Sequence, residues 1–423
     1  MKKALTLFVF LIMTSLCHAN TVPYDYPFVN PYEATVVGTP SLYQEPLPEK
    51  VPTRERSLTV FEDRKIPDVF WYHDKLRYAL TRQSKMSPLI FVIAGTGSDH
   101  NSLKMKLLEK AFFNAGFHVI SLPSPTFPNF IVTASTTGVP GDLREDSEDL
   151  YRVMELIWEK EKARLDVSEF YLTGYSLGGA QSAFIARIDE DRRLFNFSKV
   201  LMINPPVSLY NSMQILDRML VDNIPGGLDN FSEFYDNTMA KFASVYEMNS
   251  DVSFDDDFLF AVYKRYPPRE QGVKALIGFA FQLSSANMLF TSDVMSNSGF
   301  VVPKNRVLGP YESLTDYFKV SARAGFSKYF EYLFLPYFQS KDTGYTREKA
   351  IRGSSIQSIE GYLRRTEKIA MVTNEDDVIL APGEAEYLKE IFGSRAMFYP
   401  NGGHCGNMAH KDNVEFMIDF FSK

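Results

Sequence analysis

Cysteine is close to absent. The chain has 423 residues and two thiols, Cys17 and Cys405. If Cys17 leaves with an export segment, one thiol remains and no internal disulfide can form, so a large packed core must supply the stability. Basic residues are outnumbered, 45 Lys and Arg against 52 Asp and Glu, for a net charge of −7. That balance argues against a nucleic-acid partner, which needs a basic face, and says little about small neutral substrates. Histidine is scarce too, at 18, 73, 100, 118, 404 and 410. His404 and His410 are close in sequence, but no third ligand cluster joins them, so no metal is expected, and no motif asks for a cofactor. No internal repeat or low-complexity tract stands out.

What is present fits a globular protein. Hydrophobic residues make up 45% and charged residues 23% of the chain, ordinary values that exclude wholesale disorder. The length suits one large core carrying a substantial insertion. Aromatic content is the outlier at 14%, and it is dense in one stretch.

The first 19 residues read as an export signal. Lys2 and Lys3 precede an apolar run, Ala4 to Leu16, which is too short to span a bilayer as a helix. Cys17-His18-Ala19 then offers small residues at the −3 and −1 positions of a cut before Asn20. The expected location is the periplasm or the exterior of a bacterium. A lipoprotein anchored through Cys17, or an uncleaved membrane anchor, is the alternative.

Residues 20–54 form a Pro-rich arm that cannot be helical throughout and is expected to run extended over the surface. Short strands are expected at Ser57–Phe61, Val69–Tyr72 and Leu76–Leu80. Leu89 to Ala94 is a continuous apolar run of the kind found in a strand buried on both faces. Helices then alternate with strands: helix 103–115, strand 118–122, helix 143–163, strand 170–173, helix 177–188 and strand 200–203. The rhythm resumes with strand 368–373, helix 383–392, strand 395–399 and a closing helix 413–421. This is an α/β pattern, a mostly parallel sheet with helices on both faces, built from 55–205 and 363–423. Residues 206–362 break the rhythm and are helical in pattern. Phe326, Phe330 and Phe334 recur every four positions, and Val273, Leu276, Ile277, Ala280 and Phe281 share a face. The insertion reads as a helical cap domain.

Gly174-Tyr175-Ser176-Leu177-Gly178 lies between a predicted strand and a predicted helix. Asn374-Glu375-Asp376-Asp377 ends a later strand, Gly402-Gly403-His404-Cys405-Gly406 follows the last one, and Ala94-Gly95-Thr96-Gly97-Ser98 ends the early buried one. Together these resemble the α/β-hydrolase superfamily, whose nucleophile sits in a Gly-x-Ser-x-Gly turn and whose chain order is Ser, acid, His. The resemblance covers roughly 55–200 and 365–423. It implies Ser176 as nucleophile on an elbow flanked by Gly174 and Gly178, and His404 as its base. It also implies Asp377 as the acid, with Asp376 the runner-up. The oxyanion hole would use the backbone N–H of Leu177 and of Thr96, with Gly97 close behind. Asn204, after the sixth strand, stands where some members keep the acid; being neutral, it does not compete with Asp377.

The resemblance therefore implies a serine hydrolase, with a lipase or esterase acting on a small-molecule or lipid ester as the expected activity. Thioesterase, peptidase and acyltransferase chemistry use the same residues, and a hydrolase fold turned to binding or scaffolding is the reading from another class. An aromatic cap could also touch a membrane peripherally.

Overall fold

The computed structural model describes residues 24–246, 263–265 and 270–423; the expected signal over 1–19, with Cys17 and Ala19, lies outside them. Eight strands form one sheet in the order β1-β2-β4-β3-β5-β6-β7-β8. They are β1 (Thr53–Leu58), β2 (Leu76–Thr81), β3 (Ser87–Ile93), β4 (His118–Leu122), β5 (Val167–Tyr175), β6 (Lys199–Ile203), β7 (Ile369–Asn374) and β8 (Ala396–Tyr399). β2 runs antiparallel to both β1 and β4, and every other pairing is parallel.

The apolar run of β3 sits at the centre for a simple reason. Its alternate side chains serve two cores: Leu89, Phe91 and Ile93 face one, Ile90, Val92 and Ala94 the other. Each fully buried side chain of this size contributes roughly 1.5–3 kcal/mol. The arm carries helix α1 (Pro31–Val37), and α2 (Leu103–Asn114) packs on the second of those cores through Met105, Leu108 and Phe112. After the short α3 (Pro128–Thr133), helices α4 (Leu143–Glu161) and α5 (Leu177–Arg192) cover the first core.

Between β6 and β7 come α6 (Leu209–Val221), α7 (Phe231–Tyr246), α8 (Glu270–Ser296), α9 (Thr315–Ser321) and α10 (Phe326–Tyr329). A π-helical stretch, Phe330–Phe334, runs into α11 (Leu335–Lys341), and α12 (Arg347–Gly353) and α13 (Glu360–Arg365) follow. These helices share a core of their own, in which Phe326, Phe330, Phe334, Val273, Leu276, Ile277 and Ala280 are all buried. Phe281 is only part-buried because it faces a cavity. Within α8, Gly272–Ser296 is long and apolar enough to cross a membrane, with mean hydropathy 1.3, yet 72% of its apolar window is buried inside the molecule. It is the longest described helix between β6 and β7. Helices α14 (Glu384–Phe392) and α15 (Lys411–Ser422) complete the chain.

Two expectations need correction. Val69–Tyr72 is not a strand: Asp68–Phe70 is a 3-10 turn following Pro67, and Phe70 is buried against Phe290 of α8 at 6.0 Å. The arm is not simply extended either. Asn30 caps α1 by accepting the N–H groups of Tyr32 and Glu33, Pro31 takes the first helical position, and Ala34, Thr35 and Val36 are buried.

Candidate active site

The fold brings the ends of β3, β5, β7 and β8 to one edge of the sheet. Ser176 follows β5 and opens α5 with φ 53° and ψ −123°, a conformation of a non-glycine residue that only a tightly packed turn holds. The turn explains its glycines. A Cβ on Gly174 would lie 2.4 Å from the Gly178 carbonyl oxygen, and one on Gly178 would lie 2.3 Å from that of Ile93.

His404 arrives from the loop after β8. Its Nε2 lies 2.9 Å from Ser176 Oγ, and its Nδ1 lies 3.0 and 3.1 Å from the two oxygens of Asp377. Nδ1–H directed at the carboxylate leaves Nε2 free to accept the serine proton. All three residues are buried. Asp377 is further fixed by Asn204, whose Nδ2 donates to it at 2.9 Å, and by the Ile379 N–H at 3.2 Å. Asp376 turns away and accepts the N–H groups of Gly402 and Gly403 at 3.3 and 2.9 Å. Of the two neighbouring acids, Asp377 reaches the imidazole and Asp376 anchors the loop that carries it.

The electrostatics follow from burial and charge. Burial works against an imidazolium at His404. The Asp377 carboxylate, aided by Cys405 Sγ at 3.8 Å from Nε2, outweighs it and holds the imidazole well above its ordinary value.

The Gly95–Ser98 loop faces the elbow. A Cβ on Gly95 would meet the Tyr175 ring at 2.7 Å. The Gly97 N–H already donates to Thr126 Oγ1 at 2.8 Å, so of the two candidate donors in this loop the geometry favours Thr96. Leu177 is the first residue of α5, so its N–H has no intrahelical carbonyl to meet. Thr96, Leu177, Ser176 and His404 line one cavity of about 60 Å³, whose far wall comes from helices between β6 and β7: Met213, Leu216, Phe281, Met288, Phe326 and Tyr329. Such an arrangement can activate a serine oxygen, and it puts two backbone amides beside the carbonyl that oxygen would attack.

The arm supplies a part that sequence reading missed. Thr35 Oγ1 accepts the His404 N–H at 2.9 Å and donates to Pro31 O at 2.6 Å. Thr39 Oγ1 donates to Gly406 O at 2.9 Å. Contact with α1 also explains two glycines of the loop: a Cβ would meet Pro31 O at 2.1 Å from Gly403 and Ala34 O at 2.1 Å from Gly406. Nothing local in the sequence marks Thr35. Asn204 was visible as a polar residue after a strand, and its φ of 44° fits its special place.

His410 goes elsewhere. It lies 3.0 Å from Asp25 and 3.9 Å from Asp412, a grouping of two acids and a histidine that the sequence did not suggest. Lys411 Nζ stands 2.9 Å from Asp25 and already supplies a positive charge there.

The strand order, with the serine elbow after β5, the acid after β7 and the histidine after β8, makes this an α/β-hydrolase fold. No protein-family model matches the chain, and no curated protein matches it in sequence. Solved structures similar to it include Est1E from Butyrivibrio proteoclasticus, at 13% identity and TM-score 0.37 over 82% of this chain and 96% of that one. A membrane phospholipase A described as a bacterial virulence factor is similar at 14% identity and TM-score 0.42, over 88% of this chain and 86% of that one. The proline iminopeptidase of Mycobacterium smegmatis matches at 14% and 0.42, over 87% and 98%.

Proposed function

We propose that this protein is a serine hydrolase that cleaves carboxylic esters with an apolar acyl group. The observation that carries the reading is the buried hydrogen-bonded line from Ser176 through His404 to Asp377. Ser176 Oγ attacks the ester carbonyl carbon while His404 Nε2 takes its proton, and Asp377 stabilises the imidazolium through Nδ1–H. The oxyanion accepts from the Thr96 and Leu177 amides. The imidazolium then gives its proton to the leaving alcohol oxygen, forming an acyl-enzyme. Water, deprotonated by His404, attacks that acyl carbon, and collapse releases the acid and restores Ser176.

The cavity supports the substrate class. None of its lining residues carries a carboxylate, an ammonium or a guanidinium, so it offers nothing to a charged peptide terminus and suits a neutral hydrocarbon chain. Its small volume favours short or medium chains unless the cap moves. Membrane contact through the cap is a weaker proposal: the cap phenylalanines Phe326, Phe330 and Phe334 point inward, leaving Tyr311 and Tyr332 as its exposed aromatic rings among the described residues. Export rests on residues 1–19, and N-terminal sequencing of the processed protein is expected to begin at Asn20.

A p-nitrophenyl ester series from acetate to palmitate tests the activity. Hydrolysis with a short-to-medium optimum, lost in Ser176→Ala, is the expected result. A folded wild type that hydrolyses no ester in the series would overturn the reading.

A further inference from the structure

We propose a second site, an anion-binding cleft that takes a phosphate group at the end of the sheet opposite Ser176. Arg54 and Arg56 of β1, Arg82 just beyond β2 and Arg164 just beyond α4 line an open cleft of about 400 Å³ together with Leu80 and Glu161. The strand register explains how they meet. Arg54 pairs with Leu80 and Arg56 with Tyr78, so the β1 arginines lie on the same face of the sheet as these two buried residues, at its edge. Thr81, before Arg82, pairs with Val119 near the start of β4. Arg164 precedes β5, whose far end carries Ser176. The cleft therefore lies at the N-terminal ends of the parallel strands, and the serine lies at their C-terminal ends.

The charge in this cleft is not balanced by the protein. Four guanidiniums face one carboxylate, Glu161. That carboxylate is fully buried, accepts from Tyr78 Oη at 2.9 Å and is approached by Arg56 at 3.8 Å and Arg164 at 3.5 Å. One guanidinium neutralises it, and Arg56 and Arg164 are the two within reach, so a compensating role accounts for neither Arg54 nor Arg82. Arg54 and Arg82 have no carboxylate partner among the described residues; Arg82 donates only to the Arg164 carbonyl at 3.2 Å. The Arg56 Nε is enclosed without a hydrogen-bond acceptor. Such a concentration of like charge stands out on a chain of net charge −7, and an anion would relieve its repulsion. Guanidinium forks match the paired oxygens of a phosphate better than a point charge does. The volume of the cleft and the number of donors suit a pyrophosphate-sized group, borne either by a soluble molecule or by a lipid headgroup.

The test uses the whole processed protein, with inorganic pyrophosphate as the soluble probe and vesicles of phosphatidylcholine with or without phosphatidylglycerol as the lipid probe. The double variant Arg54→Gln/Arg82→Gln removes the surplus charge and leaves Glu161 its two partners, so the unfolding midpoint and the basal ester hydrolysis should stay as in wild type. Saturable pyrophosphate binding that weakens with added salt and falls at least tenfold in the double variant supports a soluble phosphate ligand. Sedimentation with phosphatidylglycerol vesicles alone, equally lost in the variant, supports the headgroup. In either case, occupation of Ser176 by a covalent phosphonate should leave binding unchanged, because the sites lie at opposite ends of the sheet. Absence of both interactions in wild type, or binding that the double variant retains in full, would overturn the site.

Discussion

Replacing Asp377 by Asn leaves an amide where His404 needs a carboxylate, so the imidazole loses both its tautomer and its counter-charge. The expected fall in kcat is about 10⁴-fold. Asp376→Asn keeps an oxygen for the Gly402 and Gly403 amides and should cost far less; steady-state kinetics of the two variants separates these neighbouring acids. In the proposed mechanism His404 must be neutral to accept the serine proton. With the Asp377 carboxylate holding it above the ordinary value of about 6.5, turnover is expected to fall as pH drops through an acid limb lying above that value. A second histidine should show in stability. His100 is buried between Asp99 and Glu55. Burial opposes its charge, but the two carboxylates prevail and push it up to about 9. Because the folded value exceeds the unfolded one, its contribution is complete below about pH 6.5 and is lost as pH rises through about 9. Thermal unfolding of His100→Gln should therefore differ most from wild type at acidic to neutral pH and converge with it at higher pH.

Among elements, α1 is the least expected. It belongs to an arm that reads as extended, yet it supplies the acceptor for the His404 N–H. Thr35→Val removes that acceptor and lets the loop shift; kcat is expected to fall by up to about 100-fold, with KM little changed and Thr35→Ser restoring the rate. If all three proteins turn over alike, α1 plays no part in placing the histidine. The reason α1 escaped sequence reading is physical. Pro residues dominated the segment, while the local Asn30-Pro31 capping signal spans only two residues. Val69–Tyr72 misled in the opposite direction: Val69 and Phe70 are buried against helices from between β6 and β7, Trp71 and Tyr72 are exposed, and Pro67 turns the backbone first. By contrast, the core strands from β3 onward and the elbow were legible because apolar runs, glycines and chain order all pointed the same way. Thr35 was not, since its partner lies 369 positions away.

On the scale of the whole molecule, the helices between β6 and β7 meet the C-terminal edge of the sheet at the small cavity beside Ser176. Met288 is buried and lines it from α8. Met288→Ala should enlarge it and move the optimum of the ester series toward longer acyl chains, at a stability cost of about 2–5 kcal/mol; the ratio of kcat/KM values for long and short esters, with a denaturant melt, measures both. The proposed hydrolysis depends on an activated Ser176, and a fluorophosphonate probe addresses that directly. Exposing the folded, processed protein to the probe and mapping the adduct by mass spectrometry should give one modification, at Ser176, absent in Ser176→Ala and strongly slowed in His404→Ala. A monodisperse, folded protein that takes up no probe, or carries it on another residue, would contradict the account.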